Sequence, residues 1–312
     1  MSHLIIAEHL YRYYGRLCAV DDVSFTLSKG EVLGFLGPNG AGKTTTMQML
    51  CGNLAPSAGL ITINGYDILD KPKSAKLKLG YLPDTPPLYR ELTVDEFLHY
   101  CARLHRLTRG HISKAIETAK ERCGLREVSK RLIGNLSKGF QQRVGIAQAI
   151  LHNPDVVILD EPTVGLDPIQ IRGIRSLIRE LGQDHGVILS THILPEVQES
   201  CTHVQIIQHG KLIFHETIEG LNRQMKTSIL QIKTRLPADF NSLKAIPGIL
   251  SVEGLPGNIT QIQHDNTQNL NEHITETAVR LGWGLIEATE IKQSLEDVFV
   301  KLTESSGRDA SR

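Results

Sequence analysis

Apolar positions along the chain fall into two rhythms, short unbroken runs and longer stretches with a helical repeat. Residues 32–36, 156–159 and 187–189 are apolar throughout, the pattern of strands covered on both faces in a parallel sheet. Phe140, Val144, Ala147 and Leu151 share one helical face, and Ser137 stands where an N-cap belongs. Strands alternating with helices predict an α/β domain. Further strands are expected at 4–7, 20–27, 60–63 and 79–82, with helices at 44–51, 94–107 and 112–123. Thr93 is the natural N-cap of the second helix, and Gly124 closes the third. These last two helices form an insert at about 85–135. Lys71 to Lys78 reads as a solvated helix face, and Tyr11-Arg12-Tyr13-Tyr14-Gly15 lies between the strands at 4–7 and 20–27.

Beyond residue 200 the rhythm changes. Residues 204–208 and 211–214 predict a hairpin turning at His209-Gly210, and a linker is expected near 221–226. The remainder reads β-α-β-β-α-β, with strands at 228–233, 249–253, 259–263 and 285–288 and helices at 241–246 and 270–281. That order predicts a small α+β, ferredoxin-like unit over 227–303, closed by a helix at 294–302 and followed by a disordered tail at 304–312. The first domain is then 1–220.

Composition narrows the function classes. The 34 basic and 34 acidic residues cancel, so net charge offers no argument for nucleic acid. Five cysteines, odd in number and without C-x-x-C, point to free thiols in a reducing compartment. No apolar run approaches the length of a membrane span, and no secretory leader is expected.

The chemistry concentrates at strand ends. Gly37-Pro38-Asn39-Gly40-Ala41-Gly42-Lys43-Thr44, followed by Thr45, fits the phosphate-binding P-loop between a strand and a helix. Its glycines let backbone N–H groups wrap a polyphosphate at a helix N-terminus. Lys43 is expected to reach the β- and γ-phosphates, and the Thr44 hydroxyl to ligate Mg²⁺. The run 156–159 ends in Asp160-Glu161, a Walker B arrangement: Asp160 would hold the metal and Glu161 would orient or deprotonate an attacking water. His192 ends another strand, on the side of an open α/β sheet where ligands bind, although a single histidine there is more often structural. The tyrosines at 11, 13 and 14 could stack a purine, yet each taken singly reads as an ordinary strand aromatic.

Taken in order, these motifs resemble the ATP-binding subunit of ABC transporters over residues 1 to about 220. Leu136-Ser137-Lys138-Gly139-Phe140-Gln141 is similar to the family signature, with Lys138 and Phe140 where Gly and Gln are usual. Gly165-Leu166-Asp167 resembles the D-loop, His192 the switch histidine, and Tyr14 the adenine-stacking aromatic. Asp84 stands at the Q-loop position, where most relatives carry glutamine to reach the metal. The signature run and the closing Ser294-Leu295-Glu296-Asp297-Val298-Phe299 resemble the gliding-motility and drug-export branch.

The resemblance implies an ATPase in which two copies sandwich two ATPs. Each site would join the P-loop and Walker B acids of one copy to the Ser137 and Gly139 signature of the other, with Asp167 among the nucleotide-binding residues. It implies a separate membrane permease, contacted through the helical insert, and a place on the cytoplasmic face of the membrane. The alternative is a soluble ABC ATPase acting on ribosomes or nucleic acid. Such relatives usually carry paired cassettes or long coiled-coil insertions, and this chain has one P-loop and neither feature.

Overall fold

Strand pairing begins at the N-terminus in the computed structural model, in which residues 3–224, 227–265 and 270–291 are described. β1 (His3–Tyr14) and β2 (Leu17–Ser28) form a long antiparallel hairpin. The chain then passes through β3 (Val32–Leu36), α1 (Lys43–Leu50), β4 (Ala58–Ile63), β5 (Tyr66–Asp67), α2 (Pro72–Leu77) and β6 (Leu79–Leu82). Next come α3 (Val94–Leu104), α4 (Arg109–Cys123), α5 (Lys138–Ile150), β7 (Val156–Asp160), α6 (Pro168–Asp184) and β8 (Gly186–Thr191). α7 (Leu194–Ser200), β9 (His203–Gln208), β10 (Lys211–Thr217) and α8 (Ile218–Gln224) follow.

The central sheet has the order β10-β9-β3-β8-β7-β6, parallel except where β10 folds back on β9. A second sheet, β2-β1-β4-β5, is antiparallel. Every residue of β3, β7 and β8 is buried, as unbroken apolar runs require. Alternate side chains serve two different cores. Leu33, Phe35, Val156, Ile158 and Ile188 pack with Met47 and Leu50 of α1 and with Leu10, Val23 and Leu27 of the antiparallel layer. Val32, Val157, Leu159, Val187 and Leu189 pack the other way, with Val144 and Ala147 of α5 and Ile174 and Ile178 of α6. Each such side chain contributes about 1.5–3 kcal/mol of burial free energy. The sheet is thereby clamped from both sides, and its loops between strand ends and helix starts are held in fixed register.

The helical insert is built as its sequence demands. At the start of α3 the Thr93 hydroxyl accepts from the Glu96 N–H (3.2 Å), and the Glu96 carboxylate accepts from the Thr93 N–H (2.8 Å), a reciprocal capping box. Lys120 of α4 bridges back to Asp95 at 2.7 Å, tying the two helices together.

One expectation is corrected, and two elements go beyond what the pattern predicts. β1 continues through Tyr11 to Tyr14, the tyrosines being strand aromatics as read singly, and pairs Tyr13 with Cys18 and Tyr14 with Leu17 before the turn at Gly15. Its irregularity lies earlier, where His9 takes a φ of 50° and the register with β2 shifts. Residues 218–224 form α8 where a linker is expected. The helix α6, on which the sequence reading is silent, is capped by Asp167, with Pro168 in the first turn, and buries Ile174, Leu177, Ile178 and Leu181. All five cysteines are free thiols, as expected.

The chain divides into two compact units, 1–218 and 219–312. In the second, β11 (Thr227–Thr234), α9 (Phe240–Lys244), β12 (Ile249–Leu255), β13 (Ile259–Asp265), α10 (Leu270–Arg280) and β14 (Leu285–Ile291) succeed one another. The sheet order is β12-β13-β11-β14, antiparallel at every pairing, which is the split βαβ arrangement. Leu230, Ile232, Leu243, Ile262, Ile274 and Trp283 form its core. The expected helix at 294–302 and tail at 304–312 lie outside the described residues.

Candidate functional site

A buried strand, a glycine loop and a helix meet at the carboxyl end of β3. Gly40 and Gly42 take φ values of 80° and 107°, open only to glycine at little cost. A Cβ on Gly42 would lie 2.5 Å from the Ala19 carbonyl oxygen, so the loop is pressed against β2. Gly42 is also the N-cap of α1 and carries no side chain to occupy the first N–H groups of the helix. The Lys43 ammonium is buried at 5% exposure and donates to the carbonyl oxygens of Gly37 (2.8 Å) and Pro38 (3.3 Å).

Two carboxylates arrive from β7. Asp160 is wholly buried, and neither of its oxygens has a hydrogen-bond partner. Burial raises its pKa above the usual carboxylate value, and the hydroxyls of Ser190 and Thr44 oppose the rise. Glu161 has a φ of 49°, a left-handed conformation that costs a non-glycine residue of order 1–3 kcal/mol. Its N–H donates to the Ser190 carbonyl at 2.9 Å, which holds the turn. The side chain lies 3.4 Å from the Lys43 ammonium and 3.0 Å from Nδ1 of His192, at the end of β8. A cation, a strained carboxylate and an imidazole thus share one small volume.

These groups line a cleft of about 500 Å³ together with Tyr14, Leu17, Ala19, Asn39, Gly40, Gly42, Thr44, Thr45, Asp84 and Val164. Tyr14 is half exposed, and the Arg12 guanidinium lies over its ring, 4.9 Å from the centroid. Gly37, Pro38 and Ala41 shape the loop from behind rather than line the cleft. Of the tyrosines the sequence singles out, Tyr14 lines the cleft, whereas Tyr11 and Tyr13 stack on each other with parallel rings 6.4 Å apart.

Ser137, Gly139 and Asp167 are absent from the lining of that cleft and gather elsewhere in the same unit. The Ser137 hydroxyl caps α5, accepting from the Phe140 N–H at 3.4 Å. The Asp167 carboxylate caps α6, accepting from the N–H groups of Ile169 (3.0 Å) and Gln170 (2.9 Å). Gly139 packs so tightly on Gln170 that a Cβ would meet its amide oxygen, and the Lys138 ammonium lies against Gly165. The starts of two helices therefore form a second cluster, with no lysine from the glycine loop in it.

Sequence reasoning missed a buried trio beneath the cleft. Glu196 of α7 accepts from the Thr163 hydroxyl and from the Thr191 hydroxyl, the latter at 2.8 Å. The only sequence signal was polar residues at the end of an apolar strand. Leu17, Ala19 and Val164 also escaped notice, because apolar residues that line a cleft look like any others.

The family model described as ABC transporter matches residues 20–164. The ABC transporter ATP-binding protein NatA of Bacillus subtilis is 42% identical over 205 residues, covering 65% of this chain and 83% of that protein. The bacitracin transport ATP-binding protein BcrA of Bacillus licheniformis is 34% identical over 310 residues, 97% of this chain and 98% of its own. Among solved structures, cbiO1 of Clostridium perfringens, part of the ABC transporter complex cbiONQ, superimposes with a TM-score of 0.65 at 28% identity. That match covers 71% of this chain and 91% of cbiO1.

Proposed function

Because this chain belongs to the ABC transporter ATP-binding proteins, ATPases that power transport, we propose that it drives an exporter from the cytoplasmic face of a membrane. Two copies would close around two molecules of ATP. The observation that carries the reading is the physical separation of the phosphate cleft from the Ser137–Gly139–Asp167 cluster. One chain supplies each half once, so a second copy is needed to bring them together.

In this reading each residue has a chemical task. Tyr14 stacks the adenine while Arg12 backs its other face. The N–H groups of Asn39, Gly40 and residues 42–45 hold the phosphates, and the Lys43 ammonium offsets the charge that builds on the γ-phosphate. Glu161 takes the proton of the attacking water, and His192, in contact with it, fixes its orientation. The partner copy's signature offers its α5 N-terminus and the Ser137 hydroxyl to the same γ-phosphate. Mg²⁺ fits the residues present: Asp160 holds two buried oxygens without partners, the kind of hard ligand that cation takes. Thr44 and Asp84 would complete the protein's share of its ligands, the exposed Asp84 carboxylate standing at the cleft wall. Bound there, the metal would neutralise phosphate charge.

No helix among the described residues is long and apolar enough to cross a membrane; the cargo path is assigned to a separate permease, in keeping with a family whose solved relative cbiO1 is part of a transporter complex. The helical insert, 85–135, is the surface assigned to that partner. The unit 219–312 is assigned to docking or dimer contact. Both named relatives are ABC ATP-binding proteins, one of bacitracin transport. This favours an exporter over a soluble ATPase acting on ribosomes or nucleic acid.

The test is Glu161→Gln. Hydrolysis should fall by about 10²-fold or more, the scale of general-base catalysis. ATP with Mg²⁺ should convert the variant to a dimer in size-exclusion chromatography. A monomer at saturating ATP, or undiminished hydrolysis, would remove the reading. Pull-down from solubilised membranes should then recover an integral membrane protein with it.

A further inference from the structure

Beneath the cleft, Glu196 is a carboxylate at 1% exposure. Among the described residues no lysine, arginine or histidine forms an ion pair with it. A buried charge in that position is costly unless every lone pair is well used. Here the two donors are hydroxyls, and they come from different segments. Thr163 lies two residues after Glu161 in the loop that follows β7, and Thr191 is the last residue of β8, directly before His192. The Thr191 hydroxyl also accepts from the Ile193 N–H at 3.1 Å, which fixes the backbone on the far side of His192. One carboxylate therefore grips the chain on both sides of the Glu161–His192 contact, and that contact itself is 3.0 Å long.

We infer that Glu196 is a positioning residue for hydrolysis: through Thr163 and Thr191 it sets the spacing between the Glu161 carboxylate and the His192 imidazole. Glu196 acts indirectly. It lies outside the cleft lining, and its effect on the reaction passes through the two loops it joins. The geometry suits an acceptor with two equivalent oxygens. Two hydroxyl donors converge on two carboxylate oxygens, and an amide could accept only one of them without turning an N–H₂ toward the other. A single carboxylate shared by two loops also makes them move as one, so a displacement of His192 carries residues 161–163 with it.

This inference rests on the proposed roles of Glu161 and His192, and the experiment separates the two. Steady-state ATPase activity and ATP affinity are measured on the full chain for Thr163→Val, Thr191→Val, Thr191→Ser, Glu196→Gln and His192→Ala. Valine keeps the shape of threonine and removes the donor. Thr163→Val, Thr191→Val and Glu196→Gln should each lower kcat by roughly tenfold to 10²-fold, the cost of a small misplacement of catalytic groups. ATP affinity should not change, and Thr191→Ser should restore the rate. Added to His192→Ala, the Thr191→Val change should cost nothing further, since the group it positions is gone. Should Glu196→Gln fail to fold, the threonine variants carry the comparison. Parental kcat in both valine variants, with only a lower melting temperature, would reduce Glu196 to a structural residue and overturn the inference. So would an equal additional loss in the His192→Ala background. If His192→Ala itself turns over at the parental rate, the reading of the site falls and this inference with it.

Discussion

Burial gives the Asp160 carboxylate a raised pKa and no hydrogen-bond partner, while its neighbour Glu161 is tied to a cation and an imidazole. The sign of the linkage follows. A carboxyl whose pKa is higher in the folded than in the unfolded chain binds more protons when folded. Its ionisation therefore destabilises the fold as pH rises past the unfolded value, and the full penalty is present once pH exceeds the raised folded value. Asp160→Asn removes the charge while its amide stays buried, and it should stabilise the chain in metal-free buffer by relieving the desolvation of the carboxylate. A rise of roughly 2–4 °C in melting temperature per kcal/mol is expected for a domain of this size. The same variant should lose Mg²⁺-dependent hydrolysis. A lower melting temperature at neutral pH would contradict this account. On the proposed reading, binding of Mg²⁺ would offset this penalty.

At the scale of elements, what could be read from sequence depended on how strongly a segment announced its own environment. The runs 32–36, 156–159 and 187–189 are buried on both faces, so their composition carried the whole signal. Thr93 and Gly124 marked helix ends because backbone groups there need those side chains, or none. Tyr11 to Tyr14 lay beyond the strand expected at 4–7, because it lacks an apolar run and only cross-strand pairing with Leu17 and Cys18 holds it extended. The helix start at α6 was less legible because Asp167, which with Pro168 makes an N-cap pair, is also the last residue of the D-loop-like run. In the site, residues with polar chemistry were legible and the Glu196 clamp was not. Its three members are distant in sequence, and only the fold brings Thr163 and Thr191 to one carboxylate. The glycine loop gives a direct test at this scale. Gly42→Ala must hold a left-handed φ and push the Ala19 carbonyl away, which should cost about 1–3 kcal/mol and weaken ATP binding. Calorimetry and nucleotide titration on the same preparation would detect both effects. Parental values for both would mean that the loop relaxes freely.

Over the whole molecule, every residue of the phosphate cleft lies within the unit 1–218, and the split βαβ unit has its own core. Removing 227–312 should therefore leave ATP affinity unchanged in a direct titration. A folded truncation that fails to bind would place part of the site beyond residue 226. The separation of the cleft from the Ser137–Gly139–Asp167 cluster has a further consequence, one of inheritance between chains. A chain carrying Lys43→Ala lacks a working cleft and keeps its cluster; a chain carrying Ser137→Arg has the reverse defect. Each should be inactive alone. Mixed together, they should regain hydrolysis, because a pair made of one of each assembles one site from two sound halves and one from two broken ones. Complementation between two dead proteins, rising with their mixing ratio to a maximum at equal amounts, is the behaviour of a catalyst whose active site is a property of the encounter.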